Sequence, residues 1–329
     1  MKRIFGGKIV YYLGAGASAN SIPTVGDISY RLDHLYSFLF NNSNSIIGIS
    51  TSNGIVDREK YDVFLGIIKK WNLLVKQTPS IDTLAKRLFD QRKDIEYKEY
   101  KLFLTVLMNF FHCIKKNKEG ITEINNLEGR YENLLRSINQ SSTLVPNGKK
   151  IIPNNFEFIS WNYDFQLDLS SQLDDLNLLN ENNIVLKKLN GSSLVVDIKP
   201  PNLLDVSESI IVQYLFRLYE HFHYNNQLNI PLKFSWEPND FDFLYELACK
   251  TDYVVVIGYS FPTFNRVIDN LFFQSLRKNT IVYTQGYNYQ DSERIEKYLN
   301  QTFSSNKPIF TTIPVESPFF FVPPVYFES

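Results

Sequence analysis

The chain has 329 residues, a formal net charge of −1, and 44% hydrophobic against 21% charged residues. That balance suits a soluble globular protein built as one large domain, or one domain with an insertion, and leaves no global electrostatic case for nucleic acid. Only 2 cysteines occur, Cys113 and Cys249, and no run reaches the roughly 18–20 apolar residues of a bilayer span; a disulfide framework, a four-thiolate zinc site and a membrane segment are excluded, and the cytoplasm is the expected compartment.

In chain order, Lys8–Leu13 (KIVYYL) is a β-branched and aromatic run that reads as a buried strand. It runs into Gly14-Ala15-Gly16-Ala17-Ser18-Ala19, which fits the Gly-x-Gly-x-x-Gly/Ala spacing of a phosphate-cradling turn. Gly14 permits the tight turn and Gly16 the approach of backbone to a pyrophosphate, whose charge the amides and a helix end can meet. A tight strand-to-helix turn without ligand is the plainer alternative. Pro23 and Gly26 break the chain, and Asp27–Phe40 has a helical period. Asn41–Asn53 is a polar loop, and from about Tyr61 to Gln140 the pattern is helical with no strand interrupting it, which predicts a helical insertion or lid over 41–149. Within it, TPSIDTLAKRLF opens on a Ser or Asp cap, and YKEYKLFLTVLMNFFHCIKK is long and amphipathic. Lys115, Lys116 and Lys118 read as its solvated cationic end, and Cys113 as buried in it.

Beyond residue 150 strands and helices alternate. NFEFISWNYD and NIVLKKLNG read as strands, SESIIVQYLFRLYEHF and DFDFLYELACK as helices. DYVVVIGYS is the strongest strand, a continuous apolar run suited to the centre of a parallel sheet; a helix (FNRVIDNLFFQSLRK) and a further strand (TIVYTQG) follow it. This predicts an α/β fold, a Rossmann-like doubly wound parallel sheet with a helical insertion, its core drawn from 1–40 and 150–305. The extension 306–329, with Pro and Phe but no period, is expected to pack over the surface. A hydride-carrying dinucleotide enzyme would need an acidic residue about 20 positions after the glycines, at the end of a second strand. Asp27 and Asp33 lie near that distance but in a helical segment, so that reading fails.

Three stretches together resemble the sirtuin-like NAD-binding family. LGAGASANSIPTV is similar to its opening motif, Gly-Ala-Gly-x-Ser followed by Ile-Pro; SWNYD (Ser160–Asp164) to its Asn-x-Asp at a strand end; and VVIGYSFP (Val255–Pro262) to its Gly-x-Ser. They come in the family's order, and the resemblance spans roughly residues 8 to 300. It implies that Gly14, Ala15, Gly16 and Ser18 hold a pyrophosphate and that Pro23 borders the nicotinamide end. Asn162 would contact the nicotinamide ribose and position water, Asp164 would shape the pocket floor, and Gly258 and Ser260 would lie beneath the ribose and phosphates. PSIDTLAKRL resembles a lid helix of bacterial members, and IVYTQG falls where the family closes over the adenosine. The zinc module of sirtuin deacylases is absent from this sequence. The form of the motifs resembles bacterial sirtuin-like NAD hydrolases of antiviral defence, which deplete NAD on infection and are switched by a protein partner, self-association or a fused sensor. The implied activity is cleavage of the nicotinamide–ribose bond, with NAD as substrate, no metal, and no membrane or nucleic-acid partner.

One position departs from the family. Its usual base is a His in Leu-His-Gly, and this chain has Leu189-Asn190-Gly191. Asparagine takes up no proton at neutral pH, and general base catalysis contributes about 10²–10⁴-fold. Three explanations stand open: a natural hydrolase that uses Asn190 to hydrogen-bond the ribose, an NAD or ADP-ribose binding subunit or sensor that has lost hydrolysis, or an introduced inactivating change. Of the 4 histidines, His34, His112, His221 and His223, His34 and His112 are the two that could lie near the pocket.

Overall fold

The computed structural model describes residues 7–51, 53–116, 122–124, 127–139, 143–144, 150–173, 176–177, 179–180, 183–201, 206–224, 229–303, 308–313 and 319–324. Its centre is a six-stranded sheet of β1 (Ile9–Leu13), β2 (Phe156–Ser160), β3 (Leu186–Lys188), β4 (Tyr253–Ile257), β5 (Ile281–Gln285) and β6 (Ile309–Thr312). Every neighbouring pair is parallel, in the spatial order β3-β2-β1-β4-β5-β6. That is the order of the doubly wound dinucleotide fold, in which the β1–β4 boundary is where the winding reverses and ligands gather at the carboxyl ends. The register aligns those ends, with Leu13 opposite both Ser160 and Ile257, and Ile257 opposite Gln285.

β1 is buried at all five positions because it lies between two sheet faces that are both covered. Its residues alternate as the pleat requires. Ile9, Tyr11 and Leu13 join Phe158, Val255 and Ile257 on one face, beneath α5 (Gly129–Asn139), α6 (Gln166–Leu173) and Phe320. Val10 and Tyr12 join Ile159, Val254 and Val282 on the other, beneath α8 (Asp242–Lys250), α9 (Arg266–Phe273) and α10 (Tyr289–Thr302). A third apolar cluster is mainly helical and unites α1 (Val25–Asn41), α2 (Arg58–Lys76), α3 (Ile81–Asp90), α4 (Asp94–Cys113) and α7 (Glu208–His223) with loop residues such as Leu232 and Phe234. Thus α5, inside the 41–149 segment, covers the sheet, while α7, from the second half of the chain, packs with the helices of the first. Among the described helices none is long and apolar enough to cross a membrane.

The helix expected over Asp27–Phe40 is α1, which starts at Val25 after Pro23, while Ala15–Ser18 of the glycine turn is a single 3₁₀ turn. Other local expectations change. α4 is not amphipathic along its length; every residue from Tyr100 to Cys113 is buried, because α2, α3 and α7 pack around it. It ends at Cys113 where Ile114 turns extended, and Ile114–Lys116 pairs with Thr122–Ile124 in a short antiparallel ladder. Lys115 and Lys116 therefore belong to a strand that interrupts the helical block, and Lys118 lies outside the described residues. In the C-terminal extension, Ile309–Thr312 is no surface wrap but β6, the sheet's edge strand. The cap of α3 is as expected, with the Ser80 hydroxyl accepting the Thr83 N–H at 3.1 Å.

Candidate functional site

The residues singled out in the sequence lie at the carboxyl edge of the sheet, in the loops after β1, β2, β3 and β4. The glycine turn packs directly on the loop after β4. Gly14 N–H donates to Ile257 O at 3.0 Å, and Gly16 N–H to Gly258 O at 2.9 Å. A Cβ on Gly14 would stand 2.5 Å from the Tyr259 Cα, and one on Gly16 2.8 Å from the Gly258 Cα. Gly258 has φ +58, and a Cβ there would meet Ala17 N and Gly16 C at 2.4 Å. Backbone packed on backbone thus already requires these glycines. Ala15 and Ser260 are exposed at this edge, whereas Pro23 is buried where the chain leaves the turn.

Ser18 is the hub of the buried part. Its hydroxyl lies 3.3 Å from the Tyr131 hydroxyl of α5 and accepts the Asn162 Nδ2 at 3.3 Å. Burial raises the Asp164 carboxyl above its ordinary range, offset in part by Lys188, by the Gln166 N–H (3.0 Å) and by Ser18. Lys188, at the end of β3, reaches the Asp164 carbonyl at 2.5 Å and the Asp168 carboxylate at 2.8 Å. The first and second motifs are therefore one hydrogen-bonded unit.

Asn190, on the turn after β3, donates its Nδ2 to the Trp161 carbonyl at 3.0 Å. The Oδ1 atoms of both Asn162 and Asn190 are buried and have no hydrogen-bond partner, and the same holds for the Ser193 hydroxyl. Ser193 is tied to the second motif by its N–H, which donates to Tyr163 O at 2.8 Å. Buried polar atoms are nearly always paired; these three, around one strand-end junction, are open to further hydrogen-bond donors. Sugar hydroxyls or water supply such donors.

Two supporting layers lie behind. Burial, and then the Lys188 cation, hold the His112 imidazole well below its ordinary pKa. His112 is therefore neutral; its Nε2 accepts the Phe165 N–H at 3.0 Å, and the ring stacks on Phe165 at 3.5 Å. It positions the Asp164 turn rather than serving as a free base, and His34 packs edge-on against Phe110 instead. On the other sheet face Asp269 accepts from Tyr12 OH (2.6 Å), Tyr259 OH (2.9 Å) and Trp161 Nε1 (3.2 Å), joining β1 and the loops after β2 and β4 to α9. Burial pushes its carboxyl up to about 7. The lid-like helix α3 also reaches the second motif, through Tyr163 OH donating to Asp82 at 2.6 Å.

Asn109 and the Trp161 carbonyl were not visible as site components in the sequence. Asn109 Nδ2 donates to Ser193 O at 2.8 Å while its Oδ1 accepts from Tyr214 OH at 2.5 Å; a lone amide inside the apolar run of α4 was the available signal. The Trp161 contribution is a backbone atom and leaves no trace in residue type. An open cleft of about 810 Å³ lies away from this edge, between the Val196–Lys199 stretch and α7, and none of the residues named from the sequence as candidate site residues lines it.

No family model matches this chain, and no curated protein matches it.

Proposed function

We propose that this chain binds NAD⁺ at the carboxyl edge of its sheet and hydrolyses the nicotinamide–ribose bond, giving ADP-ribose and nicotinamide. The observation that carries the reading is the convergence of the Gly14–Ser18 turn, Asn162 and Asn190 on one edge, with the two asparagine Oδ1 atoms buried and unpartnered. In this reading Asn162 and Asn190 accept from ribose hydroxyls and from the attacking water. Their fixed amides, Ser18 and the Asp164 carboxyl supply orientation and electrostatic stabilisation for a cationic ribose. The sirtuin-like resemblance extends the proposal to an NAD-depleting effector of anti-phage defence, switched by a protein partner or by self-association.

The second reading, an NAD or ADP-ribose binding subunit without turnover, is favoured by Asn190 itself, because an amide accepts no proton at neutral pH. Chromatography of NAD⁺ incubated with the full chain separates the two. Nicotinamide release that disappears in Asn162→Ala supports the hydrolase. Thermal stabilisation by NAD⁺ without release, with or without added activators, supports the binder. Release that Asn162→Ala leaves unchanged would defeat the site assignment.

A further inference from the structure

Arg130 belongs to none of the motifs above, yet its guanidinium touches the glycine turn. Its Nε and Nη2 donate to the two Glu128 carboxylate oxygens at 2.7 and 2.9 Å, and Nη2 also donates to the Ala17 carbonyl at 3.1 Å. A guanidinium is planar, so Nη1 shares with Nη2 the edge that faces Ala17. Among the described residues Nη1 makes no hydrogen bond. The side chain is 20% exposed, whereas that of Glu128 is 1% exposed. Nε and Nη2 are thus taken up by Glu128 and Ala17, and Nη1 alone is left with free donors beside the turn.

Its surroundings hold it there. Glu128 accepts the Asn20 N–H at 3.2 Å and the Asn20 Nδ2 at 3.3 Å, so the Glu128–Arg130 pair grips the chain from Ala17 to Asn20 at both ends. Phe320 lies 4.9 Å from the guanidinium carbon and covers its face. The Glu128 charge is met by Arg130, by Asn20 and by the N–H of Arg130 at the start of α5. The turn itself offers little field, since Ala15–Ser18 is one 3₁₀ turn and α1 begins later.

We propose that Arg130 is a diphosphate-binding residue, its Nη1 edge supplying the cationic donors that the glycine turn lacks. This rests on the nucleotide reading of the turn. The two Nη1 N–H groups can each donate to a phosphate oxygen, and such charge-assisted bonds are stronger than neutral ones. The chemistry recognised is a diphosphate ester, with the flanking nucleoside read elsewhere.

Titration calorimetry of the full chain with ADP-ribose, and separately with inorganic pyrophosphate, tests this on the parent, Arg130→Gln and Arg130→Lys. Arg130→Gln should weaken ADP-ribose binding at least ~10-fold and remove pyrophosphate binding. Arg130→Lys, which keeps the charge but loses the fork, should fall between, and it decides the matter if the Gln variant does not fold. Variants that bind ADP-ribose within ~2-fold of the parent overturn the role of Arg130 while leaving the nucleotide site standing. A parent that binds neither probe overturns the nucleotide reading and this proposal with it.

Discussion

The Asn190 side-chain amide donates to the Trp161 carbonyl at 3.0 Å, and that bond settles which way the amide faces. Only the nitrogen can meet a carbonyl, so Oδ1 is turned away from it, buried and unpartnered. An imidazole at this position can donate one ring N–H to the same carbonyl and keep its other nitrogen as an acceptor. Asn190→His is therefore expected to fold and to raise nicotinamide release by about 10²-fold, the low end of a general base contribution. Asn190→Asp would set a carboxylate against the carbonyl, and burial would raise its pKa. The sign follows: stability is lost as pH rises through the raised value, by roughly 1–3 kcal/mol at neutral pH. Urea unfolding at pH 5 and pH 7.5 reads this, and an Asp variant as stable as the parent at both would contradict the assigned orientation.

Gly258 is predicted to be irreplaceable for reasons of packing alone. Its φ of +58 disfavours any side chain, and a Cβ would lie 2.4 Å from Ala17 N. Gly258→Ala should cost about 3 kcal/mol or more, through strain and a displaced glycine turn. Gly66 is the control: it lies within α2, and a Cβ there would meet nothing within 4 Å, so Gly66→Ala should stabilise by about 0.5–1 kcal/mol. Chemical denaturation of both variants checks the contrast.

Asp269 should leave a pH signature. Its carboxyl is raised to about 7 by burial, so the folded state holds a proton that the unfolded chain has released. Stability contributed by the protonated form is present at low pH and falls as pH rises from the ordinary carboxylate range to about 7, by a few kcal/mol. Asp269→Asn should flatten that slope and lower stability at acidic pH, where the native carboxylic acid is well paired. Unfolding free energies measured at half-unit steps between pH 5 and pH 8 test it; an unchanged slope in the variant would assign the dependence elsewhere.

His112 is predicted to act through the backbone it holds. Replacing it with Phe keeps the stacking on Phe165 but leaves the buried Phe165 N–H without its acceptor. The expected loss is about 1–3 kcal/mol, with faster hydrogen exchange at the Phe165 amide. Protection equal to the parent's would show that His112 does not position the Asp164 turn.

Much of the scaffold was legible from residue pattern. The continuous apolar runs IVYYL and YVVVI announced central parallel strands, since only a strand covered on both faces is free of polar residues. The glycines, Asn162 and Asn190 each stood at the end of a strand in the sequence, which places them on one edge once the strands are parallel. The edge strand Ile309–Thr312 was obscured by the Pro and Phe around it, and Ile114–Lys116 by the helical period that precedes it. By itself the sequence determined the α/β class, the strand ends and the residue types gathered there, because periodicity and turn chemistry are local. Tertiary structure alone decided that Gly16 is opposed by Gly258, that Trp161 orients Asn190, and that Arg130 from a distant helix meets Ala17. Those are contacts between segments far apart in the chain, several of them through backbone atoms, whose partners residue type does not encode.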